Sequence, residues 1–255
     1  MQSNTFSGFF VGQKLVSLPI VDSTNNYLRE QLAKVEPVPE GTVIMAEEQF
    51  AGRGQSDNMW LAEPGKNLTF SILFNPSFIS PEKQFSLNKA VSTGINDALC
   101  KIIGDDLKIK WPNDIYVKNK KIGGVLIENI IQGKLLKHAM VGVGINVNQK
   151  NFPDSLKNVT SLIQILHQNY NVLELLADVC RAIELRYLQL KEGFTEDIDL
   201  AYLKNLYGLN SALDFETAGK KIRGVITGVN QTGLLEIESG GRNLKFASKE
   251  IAFLI

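Results

Sequence analysis

Apolar residues follow two periodicities along the chain, and these predict different elements. Short apolar runs over residues 14–20, 42–46 and 68–74 predict β-strands, the last of them central in a sheet. Over residues 80–103 the apolar side chains recur every three or four positions, which predicts a core-facing helix. The same spacing over residues 171–192 predicts a long amphipathic helix whose charged side chains face solvent. This alternation of strands and helices indicates an α/β or α+β architecture.

Two helix starts carry local signals. Ser80, with Pro81 at the first helical position, is predicted to cap the helix that ends at Gly104. Asp22 or Ser23 is predicted to cap a helix that follows the first strand. The Ser23 hydroxyl and its neighbours therefore have two interpretations, helix capping alone or hydrogen bonding to a neutral polar ligand.

The segment Lys110-Trp111-Pro112-Asn113-Asp114 lies between a short predicted strand at residues 107–109 and a hairpin that turns at Asn119. Pro112 disfavours helix and cannot donate to a sheet, so a turn is expected, held by Asn113 and Asp114 bonding to their own backbone. The hairpin returns through Lys121 to Gly123-Gly124. A carboxylate, separated lysines and bare backbone suit a phosphate-bearing ligand, and the alternative is a solvated hairpin with a polar turn.

Two further strands, over residues 124–131 and 134–147, complete the larger sheet. The second carries Gly142 and Gly144 in alternation within an apolar run. Because such glycines weaken a strand, either a ligand or a closely packed helix is expected to lie across them. Asn146 then either reads a base edge or caps the strand.

The chain changes character after residues 208–210. Strand-like runs at residues 213–217, 221–229, 234–238 and 243–246 alternate with glycine-bearing turns, which predicts a small antiparallel barrel. We therefore divide the chain into a catalytic domain, residues 1–207, and a C-terminal domain, residues 208–255.

Composition excludes several classes of function. The 255 residues include 27 Lys and Arg against 27 Asp and Glu, whereas a dedicated nucleic-acid binder would carry a basic surplus. No apolar run reaches the length of a membrane span, and the N-terminus lacks the basic region of a secretory signal. Cys100 and Cys180 are expected to be free buried thiols in a reducing cytoplasm. With only His138 and His167 available, a histidine-built metal site is not expected.

The long polar segment after residue 46 is either mobile or functional. Its Arg53, flanked by Gly52 and Gly54, can reach a phosphate or a carboxylate while the backbone moves freely. The glycine spacing matches neither a Walker A loop nor a dinucleotide-binding fingerprint.

Taken in order, six short motifs resemble those of the biotin–protein ligases, strongly over residues 15–165 and more weakly through the C-terminal region. The motifs are Asp22-Ser23-Thr24-Asn25; Gln49 with Ala51-Gly52-Arg53-Gly54; Trp60 with Gly65-Lys66-Asn67-Leu68; Lys110-Trp111-Pro112-Asn113-Asp114; Lys121 with Gly124; and Gly142-Val143-Gly144-Ile145-Asn146. Six motifs in one order are far more specific than any of them alone. The resemblance implies a class II synthetase-like catalytic domain with a mixed, largely antiparallel sheet and flanking helices, followed by an SH3-like barrel.

The resemblance also implies an activity. Biotin and ATP would form biotinyl-5′-AMP and pyrophosphate, and the biotinyl group would pass to one lysine of a biotin carboxyl carrier protein. Residues implied to bind biotin are Ser23, Thr24, Asn25, Gln49, Gly52, Arg53, Gly54, Gln55, Lys121 and Gly124. Residues implied to bind the nucleotide are Arg53, Trp60, Lys110, Asn113 and Asn146. Lys121, Arg53 and Asp114 are the implied catalytic residues.

Charge explains part of this assignment. The biotin carboxylate and the α-phosphate repel each other, and Arg53, Lys121 and a Mg²⁺ ion carried by ATP would offset that repulsion. Asp114 could deprotonate the acceptor lysine, orient it, or help hold the metal, and the sequence does not choose among these roles. Thr24, Arg53 and Lys121 are therefore expected to share one cavity.

Two departures from the family pattern carry consequences. Many members follow the glycine loop with further arginines, where this chain has Gln55, Ser56, Asp57 and Asn58. We therefore expect the loop to hold the adenylate less tightly. About 14 residues precede the first predicted strand, too few for the DNA-binding domain of repressor members, so no repressor role is expected. The resemblance is compatible with a homodimer.

Two rival functions remain. A lipoate- or octanoate-transferring enzyme of the same fold would be expected to show an arginine-rich, triple-glycine loop, which Gln49 and Gly52-Arg53-Gly54 argue against. A non-enzymatic biotin-sensing module would not need Lys121 and Asp114 together with a closing loop.

Overall fold

The computed structural model describes residues 8–55 and 58–254. Ser56 and Asp57 of the predicted glycine loop lie outside the described residues. Twelve strands and five helices are present in the part of the chain so described. In chain order they are β1 (Leu15–Val21), α1 (Thr24–Leu32), β2 (Val43–Gln49), β3 (Leu68–Phe74), α2 (Phe85–Ile103), β4 (Leu107–Lys110), β5 (Asp114–Val117), β6 (Lys120–Gln132), β7 (Leu135–Ile145), α3 (Leu162–Leu166), α4 (Val172–Lys191), α5 (Thr195–Lys204), β8 (Ala212–Thr217), β9 (Lys220–Val229), β10 (Leu235–Ser239), β11 (Arg242–Phe246) and β12 (Ala252–Phe253).

The larger sheet has seven strands in the order β1-β2-β3-β7-β6-β5-β4. β1 and β2 pair in parallel, and the other described pairings in this sheet are antiparallel. All seven residues of β3 are buried, which agrees with its predicted central position. The sheet is therefore mixed and largely antiparallel, as the resemblance implied.

Among the element boundaries that differ from the sequence-based predictions, those of β2 and α2 differ most in their consequences. β2 continues to Gln49 rather than ending at residue 46, because its parallel pairing with β1 extends to the partners Val21 and Gln49. The predicted helix from Ser80 is interrupted, since a 3₁₀ turn at Pro81–Lys83 precedes α2 and the Ser80 side chain makes no capping hydrogen bond. The longer β2 delivers Gln49 to the start of α1.

The helices pack together beside the sheet, with α2 against α4 and α5. Gly94 permits this approach, because a Cβ atom there would lie 2.7 Å from Ile183 Cα in α4. A ligand is not required to explain this glycine.

One charged residue of α4 is buried, contrary to the prediction that its charges face solvent. Glu184 is 1% exposed and accepts backbone N–H groups from Phe9, Phe10 and Val11 at 2.6–2.9 Å. These three residues have no partners in a sheet, and the Glu184 carboxylate accepts the hydrogen bonds of their backbone N–H groups instead. The carboxylate therefore anchors the N-terminal segment to the helix layer.

The smaller sheet has five antiparallel strands in the order β11-β10-β9-β8-β12. Its Phe215, Ile226 and Ile237 belong to the same buried cluster as the apolar residues of the larger sheet. Trp111, before β5, also donates its indole N–H to Gly233 O at 2.9 Å. The smaller sheet is thus packed against the segment that contains the candidate site residues.

Neither cysteine is paired, and they differ in burial. Cys180 in α4 is fully buried, and burial raises the pKa of its thiol, whereas Cys100 in α2 is half-buried. Among the described residues, no helix has both the length and the apolar character needed to cross a membrane.

Candidate functional site

A cavity of about 170 Å³ lies where the start of α1, the loop after β2 and the turn before β5 meet strands β3, β6 and β7. Most of the predicted site residues line it. These are Ser23, Thr24, Asn25, Gln49, Arg53, Gly54, Gln55, Trp60, Asn113, Asp114, Lys121 and Gly124, together with Gly142 and Gly144. Thr24, Arg53 and Lys121, which were expected to converge, therefore share one cavity.

The first wall is the start of α1, whose capping differs from the prediction. Ser23 occupies the N-cap position without a side-chain capping bond, and Gln49 Oε1 accepts the Thr24 backbone N–H at 2.7 Å instead. Ser71 Oγ on β3 lies 2.7 Å from Thr24 Oγ1 and 2.6 Å from Asn25 Oδ1. The interpretation of Ser23 and Thr24 as helix caps alone is therefore not supported, and a buried polar cluster forms at this wall.

Glu128 on β6 supports that wall from behind, and the sequence reasoning missed it. Its Oε2 accepts the Asn25 side-chain amide at 2.8 Å, and its Oε1 lies 2.8 Å from Arg29 and 3.1 Å from Arg53. A carboxylate directly after the apolar run Val125-Leu126-Ile127 is the signal that could have revealed it. The residue therefore connects α1 to the loop that carries Arg53.

The second wall is the glycine loop. A bridge between Arg53 and Met59 folds the loop back on itself, and the Arg53 side chain remains 43% exposed. The two ends of the loop pack closely at Gly52, because a Cβ atom there would be 2.4 Å from Trp60 O. The arginine is thus a partly exposed residue of the cavity lining.

The third wall is the hairpin of β5 and β6. Lys121 Nζ lies 2.6 Å from Asp114 Oδ1, and both side chains are partly buried. The Asn113 side chain donates to Val125 O rather than to its own backbone, and Val125 N donates to Asn113 O at 2.9 Å, so the turn is fixed to β6. The solvated-hairpin alternative does not describe this turn, since Asn113 is buried and lines the cavity, whereas Lys118 and Asn119 at the tip of the hairpin are exposed.

The two glycines of β7 have side chains packed directly on them. A Cβ atom at Gly142 would lie 2.9 Å from Asn25 Oδ1, and one at Gly144 would lie 2.4 Å from Trp60 Cε2. The close-packing interpretation applies to Gly142, over which Asn25 of α1 lies, whereas the Trp60 indole lies over Gly144 and a ligand across these glycines stays a prediction. Trp60 Nε1 is buried and has no hydrogen-bond partner among the described residues.

Three predicted residues do not line the cavity, namely Gly52, Lys110 and Asn146. Lys110 Nζ lies 4.7 Å from the ring centroid of Tyr116 and 4.9 Å from that of Phe253. Burial lowers the pKa of Lys110, and the charge of Lys121 adds to this effect while that of Asp114 opposes it. Asn146 donates its side-chain amide to Thr160 O at 3.0 Å. The nucleotide roles of Lys110 and Asn146 stay predictions that the cavity wall does not support.

A metal held by the protein alone does not fit this site. The described residues contain no group of three or more His, Cys, Asp or Glu side chains arranged to hold an ion. Asp114 is a carboxylate in the cavity wall, and Mg²⁺ on a nucleotide commonly takes one or two carboxylates beside the phosphates. The residues therefore fit an ion that arrives with ATP.

The chain is similar to a known protein family. The model of the Biotin/lipoate A/B protein ligase family matches residues 17–146. The bifunctional ligase/repressor BirA of Bacillus subtilis is 31% identical over 248 residues, which cover 94% of this chain and 74% of that protein. The protein of the same name from Escherichia coli K12 is 27% identical over 241 residues, covering 90% and 71%.

Solved structures give the same picture. The biotin protein ligase from Aquifex aeolicus in complex with biotin and ATP matches with a TM-score of 0.79 and 28% identity, covering 94% of this chain and 98% of that one. The ligase from Leishmania major in complex with biotinyl-5-AMP matches with a TM-score of 0.62 at 20% identity, which shows a shared fold. The predicted α/β architecture with a large mixed sheet and flanking helices is thereby confirmed.

Proposed function

The chain belongs to the biotin/lipoate A/B protein ligase family, and we propose that within it the chain is a biotin–protein ligase. Biotin carboxylate attacks the α-phosphate of ATP, forming biotinyl-5′-AMP and releasing pyrophosphate. The amine of an acceptor lysine then attacks the acyl carbon, and AMP leaves. The observation that carries the proposal is the meeting of Thr24, Arg53 and Lys121 in one cavity.

The wall at the start of α1 suits the head of biotin. That head is a neutral urea, and hydroxyl and amide groups can bind it without burying a net charge. Ser23, Thr24 and Asn25 are each buried to at least 97% and line the cavity. Because Gln49 Oε1 is occupied by the Thr24 backbone N–H, its Nε2 is the group left to donate.

Arg53 and Lys121 supply positive charge where two anions must approach each other. Arg53 stands on the loop and Lys121 on β6, so the two cations reach the cavity from different walls. Mg²⁺ bound to the phosphates, with Asp114 as the nearby carboxylate, would add charge neutralisation at the α-phosphate. Trp60, whose indole covers Gly144, is the proposed surface for the nucleotide base.

Asp114 is our candidate for handling the acceptor lysine in the second step. That lysine has a reference pKa of about 10.4 and must lose a proton before it attacks. Asp114 lies in the cavity wall beside Lys121 and can receive an ammonium group that enters there. The glycine loop would exclude water from the mixed anhydride while this exchange takes place.

The finer features extend the same proposal. We propose that the acceptor is the lysine of a biotin carboxyl carrier domain, and that the smaller sheet belongs to an SH3-like domain beginning near residue 208. The antiparallel order of its five strands is compatible with that assignment. Homodimer formation stays an expectation of the resemblance.

Biotin-dependent ATP–pyrophosphate exchange tests the first step, with lipoate in place of biotin as the control. Exchange with biotin and not with lipoate supports the proposal. Exchange with lipoate alone would point to the lipoate-handling rival, and exchange with neither would point to a binding module. Mass measurement of a purified carrier domain after incubation with enzyme, biotin and ATP then tests the transfer.

A further inference from the structure

Glu128 contacts both the polar wall at the start of α1 and Arg53 of the glycine loop. The Asn25 amide donates to its Oε2 at 2.8 Å, while Arg29 and Arg53 lie 2.8 and 3.1 Å from its Oε1. Its side chain is 16% exposed, against 48% for Arg29 and 43% for Arg53. A partly buried carboxylate thus faces two guanidinium groups and one amide.

The terminal nitrogens of Arg53 are already occupied in this structure. Nη2 pairs with Glu128 Oε1 at 3.1 Å, and Nη1 donates to Asn26 Oδ1 at 3.0 Å and to Glu128 Oε2 at 3.4 Å. An anion that takes the hydrogens now directed at Glu128 must therefore compete with that carboxylate. Because the ligand's carboxylate or phosphate offers the same charge and the same acceptors, the exchange is direct competition for one guanidinium.

Glu128 is well suited to hold an arginine. Burial by itself would raise the pKa of this carboxyl, but hydrogen bonds from Asn25 and Arg29 and the charges of Arg29 and Arg53 outweigh it and lower the pKa below its ordinary value. The arginine partners and the Asn25 amide therefore favour the ionised form of this carboxyl.

We propose that Glu128 is a positioning residue with two separable contacts: its charge holds Arg53 until an anionic ligand displaces it, and its Oε2 orients the Asn25 amide. The inference deepens the proposed function and rests on it, with biotinyl-adenylate as the ligand class. With its amide nitrogen bound to Glu128, Asn25 directs Oδ1 towards Ser71 Oγ and accepts a hydrogen bond from it. The polar wall is therefore already ordered before biotin binds.

A single substitution separates the two contacts. Glu128→Gln keeps a carbonyl oxygen that can accept from Asn25 but removes the charge that competes for Arg53. Since the Arg53–Glu128 pair is partly exposed, its loss should tighten binding of an adenylate by about twofold to fivefold. A residue that only supported the fold would change affinity in the opposite direction when replaced.

The experiment is a double-mutant cycle read by calorimetry, using a non-hydrolysable biotinyl-adenylate analogue. We expect Glu128→Gln to lower the Kd for the analogue about twofold to fivefold in the wild-type background, and to leave it unchanged when Arg53 is already Gln. Glu30→Gln is the matched control, since Glu30 is an exposed carboxylate on α1, and it should leave the Kd unchanged. Thermal unfolding of each variant identifies any general loss of structure.

Two results would overturn the inference: an unchanged or weaker affinity in Glu128→Gln, or an equal gain in the Arg53→Gln background. Failure of the proposed function is recognised separately, because wild-type enzyme would then show neither biotin-dependent pyrophosphate exchange nor binding of the analogue. A wild type that is active and a Glu128→Gln variant that shows no gain would reject the role of Glu128 alone.

Discussion

Replacing Gly144 by alanine should displace the Trp60 indole from the cavity. The new Cβ atom would lie 2.4 and 2.5 Å from Trp60 Cε2 and Cζ2. Carbon atoms in contact are normally about 3.5 Å apart or more, so the ring must withdraw by about 1 Å. Trp60 follows a loop, so the ring can give way more readily than the central strand that carries Gly144.

Overpacking of this kind costs about 1–3 kcal/mol, which corresponds to roughly fivefold to 150-fold in an equilibrium constant. If the indole supports the nucleotide base, this cost falls on ATP and not on biotin. We expect the KM for ATP in pyrophosphate exchange to rise about tenfold or more, with the Kd for biotin, measured by calorimetry, within about twofold of wild type.

Two other glycines provide the comparison. Gly228→Ala is the matched control, because it is also a strand glycine and its nearest described contact would be Glu236 Oε2 at 3.6 Å. Gly142→Ala should show the reverse selectivity, since its Cβ atom would press on the Asn25 amide in the biotin wall. A Gly144→Ala enzyme with an unchanged KM for ATP would refute the placement of the nucleotide against Trp60.

Lys121→Gln should slow biotin-dependent pyrophosphate exchange by about 10²–10³-fold, because a cation near the developing charge is lost; a rate within tenfold of wild type would contradict its catalytic role. Glu184→Ala should lower the free energy of unfolding in urea by about 3 kcal/mol, because three backbone N–H groups lose a charged acceptor. Asp178 is exposed on the same helix, so Asp178→Ala should change this free energy by less than about 0.5 kcal/mol. Gln55→Arg should slow release of the adenylate, because a guanidinium can pair with its phosphate and an amide cannot; equal release rates would show that Gln55 does not weaken retention.

The strands and helices were predicted from local pattern because each has its own periodicity. β3 was predicted without error at residues 68–74, where a short, largely apolar run has the length of a buried strand rather than of a helix. The errors at residues 46 and 80 both concern ends of elements. β2 is longer than its apolar run because β1 lies beside it, and that partner is specified by the tertiary fold.

The convergence of the site was also predictable, although its hydrogen bonds were not. Six motifs in one order indicated that Thr24, Arg53 and Lys121 would meet, and the cavity brings them together. The same motifs suggested a nucleotide contact for Lys110, whose ammonium group instead lies between the rings of Tyr116 and Phe253. Phe253 is distant in sequence, so no local pattern could have indicated this contact.

The sequence by itself determined the family, the elements and the residues that face one another across a hairpin, because these depend on periodicity and on short-range order. Only the tertiary structure decided which charges are paired and which groups are buried. Glu128 meets Arg29 and Arg53, and Glu184 meets the N-terminal backbone, across separations of 75 to 175 residues. The physical reason is that desolvation and pairing depend on what the fold brings alongside a residue, which its neighbours in sequence do not specify.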